Sequence, residues 1–141
     1  SVDHFHKKSG LIMWNKVGMG RNAAELQEAI AEIADLKEDF YNEVYVPGTA
    51  NELNQELEKV LRVADFLELG QLMAMDALQR NESCGGHFRE ESQTEDGEAK
   101  RNDDKFSFVA AWEFSGENAA PVLNKEELVF EEVHPTQRSY K

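Results

Sequence analysis

The sequence contains one cysteine, Cys84, among its 141 residues. A single thiol excludes an internal disulfide framework, and it cannot supply a zinc site that needs several cysteines. A chain without disulfides is typical of a reducing compartment. We therefore expect a cytosolic protein.

Positive charge is also scarce, with 15 Lys and Arg against 28 Asp and Glu and a formal net charge of -13. Such a chain repels the phosphate backbone of nucleic acids and the anionic face of a membrane. No run of residues approaches the roughly 18 consecutive apolar positions of a membrane span. The sequence therefore predicts no nucleic-acid partner and no direct membrane insertion.

Length and composition indicate one small globular unit, because 141 residues is close to the size of a single domain and 40% of them are hydrophobic. No methionine occurs before Met13, and the chain begins at Ser1. We therefore expect a processed chain or an excised piece of a longer one.

Three segments carry helical patterns. Residues 4–17 form the first, which Gly18 and Gly20 end. Asn22 precedes the second with a glutamate three positions on, the pattern of a capping box, and Asn54 caps a third that runs to about Gln79. The predicted core comprises apolar residues at three- and four-residue steps, namely Leu26, Ile30, Ile33, Phe40, Leu57, Leu61 and Leu67.

The composition changes after the third helix. Residues 81–105 hold many acids and few apolar side chains, which predicts a long loop. Residues 106–114 and 127–131 read as two short strands. We therefore predict a mainly α fold with a three-helix up-and-down antiparallel, spectrin-repeat-like bundle in residues 1–80. A turn, the acidic loop and a short β-ribbon tail follow in residues 81–141 and pack on the bundle as one domain.

The segment 80–91 brings together a thiol, an imidazole, a guanidinium and flexible backbone. Cys84 and His87 could act as nucleophile and base, with Gly85 and Gly86 freeing backbone N–H groups for an oxyanion. A spacing of three residues is not a catalytic signature, however, and a helix end followed by a glycine turn is the favoured interpretation. We predict that Cys84 is neither a nucleophile nor a metal ligand.

No other motif indicates chemistry. His4 and His6 lack further ligands beyond Asp3, and the acidic loop does not match a calcium-binding spacing. Gly18-Met19-Gly20 lacks the strand and third glycine of a dinucleotide fingerprint. The sequence therefore predicts no catalytic residue, no metal site and no cofactor site in this chain.

Several short motifs nevertheless carry a family resemblance. They are Met13-Trp14 with Val17-Gly18 and Arg21, Arg80-x-Glu82-Ser83, Gly85-x-His87-x-Arg89, and the ending Arg138-Ser139-Tyr140. In this order they resemble the C-terminal helical domain of the flavoprotein subunit of succinate dehydrogenase and fumarate reductase. Cys84 differs from the family, since many members have arginine there, and Glu90-Glu91 replaces an Arg-Glu-Asp or Arg-x-Asp run.

This resemblance implies a parent subunit that holds FAD and interconverts succinate and fumarate in electron transport and the tricarboxylic acid cycle. It implies that the catalytic segments lie outside this chain. Ser83, Gly85, His87, Arg89 and Arg138 are then a domain-docking motif that also stiffens the turn. The implied partners are the flavin-binding portion of the same subunit and the iron–sulfur subunit. The implied location is cytoplasmic, peripheral on the inner face of the cell membrane.

Two further interpretations stay open at this point. The chain could be an autonomous acidic helical module that binds a partner protein, or, less favoured, a small thiol enzyme. The aromatic ribbon has more apolar surface than a lone hairpin can bury, with the side chains of Phe106, Phe108, Trp112 and Phe114. Arg89 and Arg138 are cations in an otherwise acidic region and could make charge-assisted hydrogen bonds to another domain. We therefore expect the ribbon, the turn and the ending Arg138-Ser139-Tyr140 to face the flavin-binding portion, and self-association of the isolated chain is a further expectation.

Overall fold

The computed structural model describes residues 1–139, so Tyr140 of the ending Arg138-Ser139-Tyr140 lies outside the described residues. The fold is mainly helical with two small two-stranded sheets. In chain order the elements are α1 (Val2–Lys16), β1 (Gly20–Arg21), α2 (Ala23–Glu43), α3 (Gln55–Gln79), β2 (Phe88–Arg89), α4 (Asp103–Phe106), β3 (Phe108–Glu113) and β4 (Val122–Glu127).

Both predicted helix caps are confirmed. The Asn22 side chain accepts a hydrogen bond from the Glu25 backbone N–H at 2.9 Å, and its amide donates to the Glu25 carboxylate at 3.0 Å. The Asn54 side chain accepts from the Leu57 N–H at 3.1 Å. Each cap satisfies a backbone donor that the first helical turn leaves without a partner.

The three long helices each contact the other two. Phe5, near the start of α1, meets Phe40, near the end of α2, edge to face with ring centroids 5.4 Å apart. A Cβ on Gly70 of α3 would lie 3.2 Å from the sulfur of Met13, so this glycine lets α3 come close to α1.

The core consists of two clusters along these helices. Buried side chains from all three helices form the first, namely Val2, Phe5, Ile33, Leu36, Phe40, Val63 and Leu67. The second lies nearer the α1–α2 connection and contains Val17, Leu26, Ala29, Ala74 and Ala77, with Ile30 packed against it. The predicted core positions Leu26, Ile33, Phe40 and Leu67 are confirmed as buried.

Two predicted core residues are wrong. Leu57 and Leu61 of α3 are 39% and 62% exposed, and the buried positions of that helix are Val63, Leu67, Gly70, Ala74 and Ala77. The reason is that α3 is apolar on more than one side, so spacing alone cannot say which side meets α1 and α2.

The tail also differs from the expectation. β3 begins and ends within the predicted first strand, but β4 covers Val122–Glu127 and shares only Glu127 with the predicted second strand. The two strands pair antiparallel, with Phe108 opposite Glu127 and Glu113 opposite Val122. β4 holds three charged residues among its six, so the hydrophobic pattern pointed instead to the exposed segment that follows it.

The acidic segment between α3 and β3 is more ordered than a plain loop. It contains β2, the short helix α4 and backbone hydrogen bonds such as Thr94 N–H to Glu98 O at 2.8 Å. β2 pairs in parallel with β1, which joins the segment to the α1–α2 connection. None of the helices within residues 1–139 combines the length and the apolar character that crossing a membrane requires.

Candidate functional site

A tight turn after α3 forms the centre of the candidate site. The backbone of Cys84 and His87 exchanges two hydrogen bonds, of 2.9 and 3.0 Å. Gly85, at the first central position of this turn, has a φ of +59°, a conformation that glycine adopts without strain. The turn leads directly into β2 and so sets the positions of His87 and Arg89.

Arg89 lies inside the chain, with only 2% of its surface exposed. One of its terminal nitrogens donates to the carbonyl oxygens of Ala77 and Leu78, both at 3.0 Å. These carbonyls belong to the last turn of α3, where carbonyl oxygens have no N–H partner within the helix. Arg89 therefore caps α3, and its positive charge complements the negative end of the helix dipole.

Glu91 connects this cap to the start of α2. One of its carboxylate oxygens accepts from the Arg89 Nε at 2.9 Å, and the other accepts from the Ala23 backbone N–H at 2.6 Å. Burial alone would raise the pKa of Glu91, but the hydrogen bonds from Arg89 and Ala23 outweigh it and the pKa is lowered. The ionised carboxylate thus joins the end of α3 to the beginning of α2.

Ser83 is buried and hydrogen-bonds to the segments that follow the turn. Its buried hydroxyl accepts from the Arg89 backbone N–H at 2.9 Å, and its oxygen lies 2.8 Å from the carbonyl oxygen of Ser92, to which it donates. The Ser83 N–H also donates to the Lys100 carbonyl at 2.9 Å. Ser83 therefore fixes both β2 and the acidic segment to the end of α3.

His87 uses both of its ring nitrogens. Nε2 lies 2.7 Å from the carbonyl oxygen of Arg80, and Nδ1 lies 2.8 Å from a guanidinium nitrogen of Arg21. A carbonyl only accepts and a guanidinium only donates, so the imidazole is neutral with its proton on Nε2. Burial lowers the pKa of His87, as do the charges of Arg21, Arg89 and Arg80, whereas the hydrogen bond to Arg80 O acts in the opposite direction.

This geometry makes the stability of the chain depend on pH. Because the pKa of His87 is lower in the folded chain than its ordinary value near 6.5, the contribution of the neutral ring is complete above about pH 6.5 and is lost as pH falls below it. We expect the urea midpoint to fall between pH 7.5 and 5.5. His87→Gln should remove most of this dependence, and an unchanged pH profile in that variant would contradict the assignment.

Arg80 and Glu82 adjoin the turn, although the sequence did not lead us to assign them to the site. Arg80 donates to the Glu82 carboxylate at 2.9 Å and to the carbonyl oxygens of Phe106 at 2.9 Å and Phe108 at 3.0 Å. Its guanidinium carbon lies 4.7 Å from the centre of the Phe108 ring. The buried Glu82 accepts from the Asn102 N–H at 2.9 Å. The Arg80-x-Glu82 motif pointed to these two residues. Their partners Phe106, Phe108 and Asn102 are 20 or more positions away in the sequence, so the motif did not reveal them.

Aromatic residues of β3 are used within the chain. The Trp112 indole donates to Asp76 of α3 at 2.9 Å, and Phe108 is buried under Arg80. Phe114 alone among the four predicted docking aromatics of this strand region, residues 106–114, is strongly exposed, at 76%. Less aromatic surface is left for docking than the sequence indicated.

Arg138 is the one residue of the predicted docking motif that lies away from the turn, on the exposed tail. Next to it, Gln137 donates to the Ala99 carbonyl at 3.3 Å, and the Ser139 hydroxyl donates to Glu98 at 3.2 Å. The tail thus returns to the acidic segment. Ser83, His87 and Arg89 share one hydrogen-bonded network with Arg80, and Gly85 shapes the turn that holds it.

Cys84 and His87 do not form a nucleophile–base pair. The Cys84 side chain is exposed, while both His87 nitrogens already have partners. Within residues 1–139, no three metal-ligating side chains gather into a potential metal site. The arrangement ties the turn to the end of α3 and to the start of α2.

The exposed thiol gives a simple prediction. Cys84→Ser should change the free energy of unfolding by no more than about 0.5 kcal/mol, the range of exposed substitutions. Ellman's reagent should titrate one thiol in the native chain without denaturant. A large loss of stability in the serine variant, or a thiol that reacts only after unfolding, would contradict this description.

Comparison with known proteins agrees with the resemblance. Residues 6–140 match the family described as the C-terminal part of fumarate reductase flavoprotein. The fumarate reductase flavoprotein subunit of Haemophilus influenzae is 26% identical over 151 residues, which cover 99% of this chain and 24% of that protein. The corresponding subunit of Helicobacter pylori is 32% identical over 133 residues, with 92% of this chain and 18% of that protein covered.

Solved structures show the same fold. A quinol–fumarate reductase with menaquinol molecules matches 96% of this chain and 22% of its own, with a TM-score of 0.80 and 24% identity. The Mycobacterium smegmatis Sdh1 complex in its apo form matches 89% of this chain and 20% of its own, with a TM-score of 0.76 and 27% identity. The chain spans about a fifth of the length of these relatives. It belongs to the fumarate reductase flavoprotein C-terminal family.

Proposed function

We propose that this chain is the structural and docking C-terminal domain of a succinate dehydrogenase/fumarate reductase flavoprotein subunit. The observation that carries the proposal is the buried network around Arg89, which joins the start of α2, the end of α3 and the turn. Such a network makes a rigid surface without a reacting group. The catalytic segments then belong to other parts of the subunit.

The contacts divide the proposed motif into two roles. Ser83, His87 and Arg89 stiffen the turn, because their polar atoms bond within the chain. Gly85 and Arg138 lie on exposed segments, and we assign the docking role to these two positions. This assignment departs from the sequence-based prediction, which gave Ser83, His87 and Arg89 a docking role as well.

The architecture supports a two-part domain. We propose that residues 1–80 form an up-and-down antiparallel bundle, since Lys37 of α2 pairs with Glu68 of α3 while Gln71 reaches back to Ile30. Residues 81–141 then pack on the bundle as the turn, the acidic segment and a β-ribbon tail. The Trp112–Asp76 hydrogen bond is one contact between the two parts.

The family relationship supports the remaining assignments. We propose that the parent subunit binds FAD and interconverts succinate and fumarate, that it assembles with an iron–sulfur subunit, and that it lies peripherally on the inner face of the cell membrane. The structural relatives include a quinol–fumarate reductase and a Mycobacterium smegmatis Sdh1 complex. The FAD-binding residues belong to the flavin-binding portion.

The flavin assignment gives a direct prediction. The 141-residue chain, mixed with excess FAD and dialysed, should show no flavin absorption, because no segment of it resembles a phosphate-binding glycine loop. The same chain expressed together with the flavin-binding portion should remain in a complex that is yellow after dialysis. Flavin retained by the chain alone would contradict the prediction.

The docking surface can be tested in the same complex. Cys84→Asp and Arg138→Ala change exposed positions of the turn and the tail, and both should weaken association with the flavin-binding portion. Leu53→Asp is the matched control, since Leu53 is exposed in the connection before α3. Equal association of all three variants, with unchanged circular dichroism, would disprove the docking role.

A further inference from the structure

A groove runs between the two central helices and the tip of the β3–β4 hairpin. It has two open chambers with volumes of about 830 and 390 Å³. Five residues line both chambers, namely Lys37, Glu68, Gln71, Phe114 and Glu117. The shared residues show that the chambers are continuous, and together they are large enough to receive several side chains of a peptide.

The smaller chamber has apolar walls. Leu72 and Met75 of α3 line it together with Trp112 of β3. Phe114 stands at the lip with most of its ring in water. An exposed aromatic beside a concave apolar surface is typical of a contact with another molecule, because such a ring gains free energy when it is covered.

The charge along the groove is mostly negative. The carboxylates of Glu38, Asp65, Glu68 and Glu117 line it, against the single cation Lys37. The Lys37 ammonium lies 2.6 Å from the Glu68 carboxylate, and its side chain is only 17% exposed. Glu68 therefore neutralises Lys37. The carboxylates of Asp65 and Glu117, which we call the rim carboxylates, are left to attract positive charge.

The larger chamber extends along α2 away from the turn that we assign to docking. The turn is tied to Ala23 at the start of α2, whereas Lys37 comes fourteen residues later in the same helix. At 1.5 Å per residue the separation is about 21 Å. The smaller chamber is nearer the turn, because its residue Met75 lies two positions before Ala77, whose carbonyl Arg89 binds.

We propose that this groove binds a peptide segment of a second protein chain, one that places an aliphatic or aromatic side chain between lysines or arginines. The apolar anchor fills the chamber beside Trp112 and Phe114. The flanking cations pair with the rim carboxylates Asp65 and Glu117. The charge of the groove disfavours a second copy of this chain, because its net charge is also strongly negative.

The first test measures peptide binding to the full chain. The probe is a short fluorescein-labelled peptide with a central phenylalanine between leucines and lysines, and the matched peptide has glutamate in place of lysine. We expect saturable binding of the lysine peptide by fluorescence anisotropy, with a dissociation constant in the micromolar range, and no binding of the glutamate peptide. Equal binding of the two, or none of either, would overturn the proposal.

Variants then locate the binding site. Phe114→Ala, and separately the double change Asp65→Lys with Glu117→Lys, should each weaken binding about tenfold. The double change Glu126→Lys with Glu127→Lys alters the net charge equally but on β4, outside the groove. It should bind like the parent chain. A loss of the same size in this control would show general charge attraction and overturn the assigned site.

The natural occupant is identified in the native assembly. Phe114→p-benzoylphenylalanine, irradiated in the complex and analysed by mass spectrometry, should crosslink to a different polypeptide at a segment where lysine or arginine flanks an apolar residue. A crosslink to the same subunit or to a second copy of this chain would overturn the proposal, and so would the absence of a crosslink. None of these results bears on docking at the turn, so the two proposals fail independently.

Discussion

Replacing Arg89 with alanine is expected to lower the free energy of unfolding by about 3 to 5 kcal/mol. The guanidinium is buried, and it satisfies the carbonyl oxygens of Ala77 and Leu78 as well as the Glu91 carboxylate. Its removal leaves the end of α3 without these donors, and it leaves Glu91 without its cationic partner. Urea denaturation followed by circular dichroism measures the loss.

Two further variants separate the geometry of Arg89 from its charge. Arg89→Lys keeps the charge but loses the planar fork, so we expect it to recover only part of the lost stability. Arg62→Ala is the matched control, because Arg62 also pairs with a carboxylate, Glu58, but on the exposed side of α3. The effect of this control should be much smaller. If the Arg89 and Arg62 variants unfold at the same urea concentration, the capping role is disproved.

Replacing Leu67 with alanine is expected to cost about 2 to 5 kcal/mol, the range for a buried leucine that leaves a cavity. Leu67 is almost completely buried, and it belongs to the cluster where all three long helices meet. Ile33→Ala, in the same cluster, should cost a similar amount. Thermal or urea unfolding of each variant measures the difference from the parent chain.

Leu61→Ala is the control for this prediction, because it makes the same chemical change in the same helix at a position that is 62% exposed. We expect a change within about 0.5 kcal/mol. If Leu61→Ala is as damaging as Leu67→Ala, then α3 presents a different side to the core. The pair therefore tests the orientation of α3 directly.

Helix ends were the most predictable local features, because a cap depends on residues only a few positions apart. Asn22 and Asn54 were assigned from their spacing, and each makes the expected hydrogen bond. The end of α3 near Gln79 was predicted from the extent of its apolar pattern, and α3 ends at that residue. Such signals are local and survive without knowledge of the fold.

The candidate site was less predictable, because its hydrogen bonds join residues far apart in sequence. His87 was recognised through a resemblance, but its partner Arg21 lies 66 positions away. Arg89 looked like a free cation in an acidic region and therefore like a docking residue. Its burial depends on the end of α3 lying beside β2, which no local pattern encodes.

The sequence by itself determined the three long helices, their caps, the exclusion of an internal disulfide, and the family, because these depend on local spacing, composition and short motifs. Only the tertiary structure decided which side of α3 is buried, where the second strand lies and which cations are internal. Those outcomes depend on contacts between distant segments. The physical reason is that a side chain is buried or hydrogen-bonded only by the segment that packs against it. A sequence pattern describes one segment and does not say which other segment covers it.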